Sequence, residues 1–349
     1  MVSSEQSSVS VDIQPPELSA PSSKPEDQPM SLRKRLLAGT AAGLLLIGST
    51  VFIAEISGAD NNSSPTEITV TNNAVVAARD FAARPSWTQN FNKRSDGSLN
   101  QSYWRYDQGT GGPTNPRWGN NEAEFYTDLP GNVQVKDGFL DITARQQKYG
   151  GSEYTSARIK TENQVDVEYG EIEVVAKLPA GVGTWPAIWM LPQKNIYYYR
   201  SGKSDPLRYL NPGEIDIMEE IGAQPNIVTS SAQSRRYNQI DNNERIGTDT
   251  IPTASTAFHD YGLEWTPNQL VFTVDGKPYH IVNKEPGDTY KAWPYDQPYY
   301  LILNDALGGV WGGMDKASYP PNGINNAALP ATFQIRSISY SKYVGPGAK

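Results

Sequence analysis

The chain has 349 residues, of which 38% are apolar and 10% aromatic, a formal net charge of −8, no cysteine and two histidines. The apolar share is enough for a sizeable core, and the 30 Lys and Arg are scattered rather than gathered into a stripe, which argues against nucleic acid as a partner. Without cysteine there are no disulfides, thiol nucleophiles or cysteine metal sites, and His259 and His280 are too few for a histidine-built metal centre, so no cofactor and no metal are expected.

Residues 1–32 are rich in Ser, Pro, Gln and Glu with few large apolar groups, a composition that does not offset its ordering entropy and predicts a disordered tail. Residues 33–56 read differently. Arg33, Lys34 and Arg35 precede LLAGTAAGLLLIGSTVFIA (36–54), which carries no charge and is just long enough to span a bilayer as a helix. The flanking cations hold the N-terminal side in the cytoplasm and place the rest of the chain outside. The small residues Ser57, Gly58 and Ala59 also suit signal-peptide cleavage, so the two expectations are a membrane anchor and a secreted protein. Residues 57–78 form a polar, flexible linker.

From 79 to 345 the pattern is all-β. Short alternating segments such as FLDITARQ, EIEVVAKL, QLVFTVDGKPYHIV and FQIRSISYSKY recur between turns rich in Gly, Pro and Asn, and no long stretch keeps a helical period. VDGKP (274–278) predicts a hairpin of the Asp-Gly type. No linker-like stretch interrupts the region, which favours one large sandwich over two domains.

Within it lies NPGEIDIMEEIG (211–222), where Glu214, Asp216, Glu219 and Glu220 crowd among isoleucines and a methionine that a fold would bury. Like charges on an apolar element repel and resist desolvation, so their retention calls for a reason. On a helix Glu214 and Glu219 would lie about 140° apart. On a strand Glu214 and Asp216 share a face while Glu219 points away, unless one bulged residue between Asp216 and Glu219 flips the parity. The bulge then aligns three acids, and Glu220 faces elsewhere as a structural residue. Hydrolysis of a glycosidic bond with retention uses two carboxyls about 5 to 5.5 Å apart, one a nucleophile and one a proton donor. Crowding separates their pKa values. A calcium site is the weaker alternative, because its ligands usually come from a loop rather than an apolar strand, and a solvated strand face would repel without benefit.

GEIDIMEEIG resembles the active-site strand of glycoside hydrolase family 16, in the bulged E-x-D-x-x-E form of its laminarinases, the endo-β-1,3-glucanases. WGNNEAEFYT (118–127), YTSARIKT (154–161), YGEIEVVAKLPAGVGTWPAIWMLP (169–192), FHDYGLEWTP (258–267), VDGKPYH (274–280) and LILNDALGG (301–309) follow in the family's order. The resemblance implies a concanavalin-like β-jelly-roll of two curved antiparallel sheets, with a polysaccharide in a cleft across the concave face. It implies Glu214 as nucleophile, Glu219 as acid/base and Asp216 as the residue that tunes the nucleophile. Arg158 matches a cleft arginine, Asn120, Asn121 and Glu122 a loop at the glycone side, and Trp185 and Trp189 the aromatic pair before the catalytic strand. Aromatic faces suit the apolar faces of sugar rings, so Trp118 and Trp311, beside Gly or Pro turns, are expected to line the cleft with Trp185 and Trp189, whereas Trp87 and Trp104 are read as core. Asn304 and His259 complete the candidate substrate contacts, with His259 equally readable as framework; His280 is read as surface.

The sequence also departs from the family pattern. Where relatives carry a histidine after the catalytic strand, Gln233 stands nearest, and the acidic residues that hold a structural calcium in many relatives have no clear equivalents. The segment QKNIYYYRSGKSDPLRYLNPG (193–213) is longer and richer in tyrosine than the pattern, and is expected to form a cleft-edge loop that alters substrate choice. A glucan-binding protein of the same fold would discard the acids, and all three are present. A transglycosylase, an agarase, a carrageenase or a mixed-linkage glucanase would share them. WGNNE with GTWPAIWML looks more like the β-1,3-glucan branch, acting as a monomer.

Overall fold

The structure, a computed structural model, describes residues 46, 47, 50, 51, 80–93 and 97–348. The tail, the linker and most of the expected membrane helix therefore lie outside the described residues. Two short strands, β1 (Leu46–Ile47) and β2 (Thr50–Val51), pair antiparallel within the unit Met1–Asn73, which is separate from Ala74–Lys349.

Among the described residues, the regular structure of the second unit is strand apart from a few short 3-10 turns. Its first half runs β3 (Trp87–Asn90), β4 (Arg105–Asp107), β5 (Glu124–Tyr126), β6 (Val133–Lys136), β7 (Phe139–Tyr149), β8 (Ser152–Ser156), β9 (Arg158–Lys160), β10 (Gly170–Lys177) and β11 (Thr184–Pro192). Its second half runs β12 (Glu214–Glu219), β13 (Ile227–Gln233), β14 (Arg245–Thr250), β15 (His259–Trp265), β16 (Gln269–Val274), β17 (Lys277–Asn283), β18 (Tyr299–Leu307) and β19 (Ala331–Lys342). One sheet of seven strands has the order β14-β13-β12-β11-β18-β9-β4. The other has ten, in the order β17-β16-β15-β10-β19-β7-β8-β5, with β3 on β19 and β6 on β7. The pairing is antiparallel except between β5 and β8, and the result is the expected all-β jelly-roll sandwich.

Period-2 patterning explains which face each strand buries. In β10 Gly170, Ile172, Val174 and Ala176 are buried while Glu171, Glu173 and Lys177 stay partly exposed on the outer face of the ten-stranded sheet. β18, central in the seven-stranded sheet, is buried along its whole length, which is why LILNDAL reads as an apolar run broken by two polar residues. Trp104, Trp265, Trp293, Phe272 and Phe333 fill the space between sheets, and full burial of such a side chain contributes about 1.5–3 kcal/mol. Trp104 is core as expected, and Trp87 packs against it. Asp275 and Gly276, with φ of 51° and 70°, make the two-residue hairpin that VDGKP predicts between β16 and β17.

Two sequence expectations change. His280 is not a surface residue: its ring stacks on Phe272 at 5.0 Å and its Nδ1 bonds Ser230 Oγ at 2.8 Å, because β17 lies against β13 and β14 at the end of the sandwich. Burial lowers its pKa to about 4, so this histidine stays neutral. His259 starts β15 in the ten-stranded sheet, away from the cleft described below, and joins Asp275 Oδ2 at 2.8 Å and Thr253 Oγ1 at 2.9 Å. It is a framework residue.

Candidate active site

β12 carries the irregularity that the acid spacing requires. Asp216 faces Ser231 and Glu219 faces Thr229 on β13, so the four residues 216–219 oppose three, and on β11 Ile188 faces Met218 while Trp189 faces Asp216. Ile217 is the residue passed over on the β11 side. The bulge lets both Ile217 and Met218 pack inward, buried to 1% and 0% exposure, while Glu214, Asp216 and Glu219 line one cleft. Glu220 turns inward, 2% exposed, and its Oε2 accepts the Asn226 backbone N–H.

The entry to β12 is clamped. Gly213 adopts φ +79°, where a Cβ would meet Pro294 Cγ at 2.3 Å, so no other residue fits without a shift. Tyr299 Oη and Gln297 Nε2 donate to the Pro212 carbonyl at 2.8 and 3.1 Å, and Tyr295 Oη donates to the Gln233 carbonyl at 2.8 Å. These buried bonds hold the strand that presents the acids.

The cleft encloses about 580 Å³, within the range of small-molecule sites. Trp185 Nε1 donates to Glu219 Oε1 at 2.9 Å, and the Ser231 hydroxyl donates to Asp216 Oδ2. Burial, reinforced by the charge of Asp216 and opposed by the Trp185 N–H, pushes Glu219 up to about 8. Asp216 is raised to about 6 by burial, with hydrogen bonds from Ser231, Glu214 and Gln233 working against it. Glu214 is pushed well above the usual carboxyl range by burial, then by Asp216 and Glu219, while Arg158 pulls it down. Three carboxyls converging in one cleft raise one another against ionisation, so at neutral pH they hold protons among them.

To one side of the acids, across β11, β18 and β9, lies a polar and aromatic wall. The Arg158 guanidinium lies between the rings of Trp118 and Trp189, 4.7 and 4.6 Å from their centroids, and its Nε is 3.0 Å from Asp107 Oδ2. Trp189 Nε1 donates to Asn304 Oδ1 at 2.7 Å, and Asn304 Nδ2 donates to Tyr126 Oη at 3.3 Å. Tyr126 Oη in turn donates to Glu122 Oε2 at 2.9 Å, while Asn120 Nδ2 reaches Glu122 Oε1 at 3.2 Å. Gln233 faces Glu214 from the other side.

Trp118, Asn120, Glu122, Arg158, Trp185, Trp189, Gln233 and Asn304 thus meet in the cleft with the three acids. Three candidates do not line it. Asn121, at φ 58°, turns into an adjoining depression with Arg117 and Tyr154. Trp311 packs edge-on against Trp185, with centroids 5.6 Å apart, and supports the cleft from behind. His259 lies in the ten-stranded sheet.

The match to glycosyl hydrolases family 16 extends over residues 120–322, more than half of the chain, and spans every acid and every lining strand from β11 to β18. The chain belongs to glycosyl hydrolase family 16. The family 16 hydrolase is 38% identical over 246 residues to a β-glucanase of Rhodothermus marinus, a match covering 69% of this chain and 79% of that one. It is 32% identical over 275 residues to a glucan endo-1,3-β-glucosidase A1 of Niallia circulans, covering 73% of this chain but 37% of that longer protein. Among solved structures, the laminarinase from Rhodothermus marinus superposes with a TM-score of 0.68 at 36% identity, over 76% of this chain and 98% of that one.

Sequence reasoning missed several residues that the hydrolase uses to build the site. Tyr126 lies four places after Glu122 in a segment already singled out, but only the fold brings it under Asn304. Ser231 needs the β12–β13 register to be seen opposite Asp216. Asp305 gave a signal, a carboxyl inside an apolar strand. It is fully buried, its Oδ1 accepts the Trp185 backbone N–H at 3.3 Å, and burial raises its pKa well above the carboxylate range, so it is a neutral acid that steadies the Trp185 backbone. Tyr198, Tyr209, Leu210 and Ile240 line the cleft from two loops, of which only 193–213 had drawn notice.

Proposed function

We propose that this family 16 hydrolase is a retaining endo-β-1,3-glucanase acting through a covalent glycosyl-enzyme. The observation that carries the reading is the bulge at Ile217, which brings Glu214, Asp216 and Glu219 onto one face of an aromatic-walled cleft. Glu214, as carboxylate, attacks the anomeric carbon while the bond to the leaving oxygen breaks and Glu219 transfers its proton to that oxygen. Water then attacks the same carbon, gives a proton to Glu219, and frees Glu214 with net retention. The raised pKa of Glu219, about 8, keeps the donor protonated at neutral pH. Asp216 and Glu214 share one proton, which their hydrogen bond favours on Glu214 by lowering Asp216 and raising Glu214; Glu214 becomes the attacking anion as that proton passes to Asp216. Arg158, Asn304 and Glu122 present polar groups to the hydroxyls of the glycone, and Trp118 and Trp189 flank the arginine that does so.

The endo action and the β-1,3 linkage are supported by relatives whose names carry that activity and by the ordered set of motifs. The test is a reducing-sugar screen against laminarin, mixed-linkage glucan, agarose and carrageenan, with product anomers read by NMR. Laminarin cleaved fastest, with β-anomeric products first, is the expected outcome; inverted products or preference for a galactan would overturn it. The charge-free run 36–54 behind Arg33, Lys34 and Arg35 supports a single-pass anchor with the catalytic domain outside the cytoplasm. Protease added to intact cells then removes the activity, whereas activity released intact into the medium by cleavage near Ala59 would favour secretion.

A further inference from the structure

We propose that Glu124, fully buried and out of reach of substrate, is a positioning residue: it donates a hydrogen bond to Glu122 and so holds the Glu122–Tyr126–Asn304–Trp189 wall of the cleft in its binding arrangement. The inference rests on the glucanase reading above. Glu124 opens β5, and strand alternation puts it on the same side as Glu122, which lines the cleft, and Tyr126, which stands behind Asn304. Its Oε2 accepts the Leu307 backbone N–H at 2.7 Å, at the end of β18. Among the described residues no N–H or O–H donor reaches its Oε1, and the carboxyl instead hydrogen-bonds that of Glu122.

Two carboxyls bond each other only through a proton. Glu122 already accepts Tyr126 Oη on Oε2 at 2.9 Å and Asn120 Nδ2 on Oε1 at 3.2 Å, so it is the acceptor of the pair and Glu124 the donor. Burial, then the charge of Glu122 and the bond to it, raise Glu124 well above the usual carboxyl range against the pull of the Leu307 N–H. The direction propagates along the wall. An indole N–H can only donate, so Asn304 turns Oδ1 to Trp189 at 2.7 Å and Nδ2 to Tyr126 Oη at 3.3 Å, and the hydroxyl is left to donate to Glu122. Every donor in this run therefore points toward Glu122. An anion or an apolar group at Glu124 would remove the donor that anchors that end, and in a fully buried position nothing replaces it. Trp189 lies 4.6 Å from the Arg158 guanidinium, so slack at Glu122 reaches the cleft arginine through Tyr126, Asn304 and Trp189.

The test is a double-mutant cycle on laminarin in the full chain. Glu124→Met, close in volume but without a donor, raises KM about 5- to 10-fold, the equivalent of one net hydrogen bond, and leaves kcat within about 2-fold. Glu124→Gln restores the wild-type KM, because its amide oxygen accepts the Leu307 N–H while its NH2 donates to Glu122. In a Glu122→Ala background, Glu124→Met raises KM no further, because its effect passes through Glu122. A Glu124→Met effect that multiplies with that of Glu122→Ala, or that falls on kcat with KM unchanged, overturns the inference and leaves the glucanase reading standing. Should Glu124→Met fail to fold, the infrared difference between wild type and Glu124→Gln at pH 7 decides. Loss of a protonated-carboxyl C=O band supports the inference, and loss of a carboxylate band overturns it. A wild-type chain that does not cleave laminarin overturns the glucanase reading instead.

Discussion

Glu219→Gln is expected to abolish turnover and to stabilise the protein, by an amount that depends on pH. The Glu219 carboxyl rises from 4.5 to about 8 in the folded chain, so the folded state binds its proton more tightly than the unfolded one. Stability from this group is therefore fully present below pH 4.5 and is lost as pH rises through 8. A shift of about 3.5 units corresponds to a ceiling of about 4.8 kcal/mol. Glu219 is half-buried and borders Asp216, so solvent and shared protonation reduce the expected cost to roughly 2 kcal/mol. Glutamine cannot ionise, and its amide oxygen still accepts the Trp185 indole N–H. Calorimetry should therefore find no difference from wild type at pH 4, and a melting temperature about 4 to 8 °C higher for the variant at pH 9. A difference that stays constant from pH 4 to pH 9, or a variant less stable at pH 9, would refute the placement of a costly ionisation at Glu219.

The companion substitution Glu214→Gln should lower turnover by several orders of magnitude with folding intact. Azide with an activated substrate should rescue Glu219→Gln and give a β-glycosyl azide, because that variant still forms the glycosyl-enzyme; rescue of Glu214→Gln alone with a β-glycosyl azide would reverse the role assignment. In wild type the rate should fall as pH rises through about 8, when Glu219 loses the proton it must donate, and azide-rescued Glu219→Gln should lack that limb. Arg158→Lys keeps the charge but loses the planar group between Trp118 and Trp189, so kcat/KM on laminarin should drop about 10-fold or more; retention of full activity would show that stacking there is idle. Asp305→Asn, isosteric with a buried neutral acid, should change stability by less than about 1 kcal/mol, whereas Asp305→Leu leaves the Trp185 N–H unpaired and should cost about 1–3 kcal/mol with a lower kcat, as chemical denaturation and steady-state kinetics would reveal.

The extended alternation from 79 to 345 and the Asp-Gly hairpin were legible from residues alone, because strand periodicity and turn chemistry are local. So was the need for a bulge: three acids at that spacing either share a face through one extra residue or divide between faces, and the burial of Ile217 and Met218 agrees with the first. The misplaced residues have separate causes. Asn121 follows three left-handed or glycine positions, Arg117, Trp118 and Gly119, whose turn directs its side chain away from the groove. His259 belongs to β15 of the ten-stranded sheet, while Trp311 follows β18 beside the acids and is turned onto the edge of Trp185 by the turn that carries it.

Residue order by itself determined the class of strand-built sandwich, the family and the acids that face one another, since each follows from patterning over a few neighbouring positions. The tertiary structure alone decided which aromatic rings border the groove, that Tyr126 and Asp305 brace it, and that Tyr209 and Ile240 share a wall. Those relations join residues far apart along the chain, and only the register of strands and the stacking of sheets brings them within contact distance.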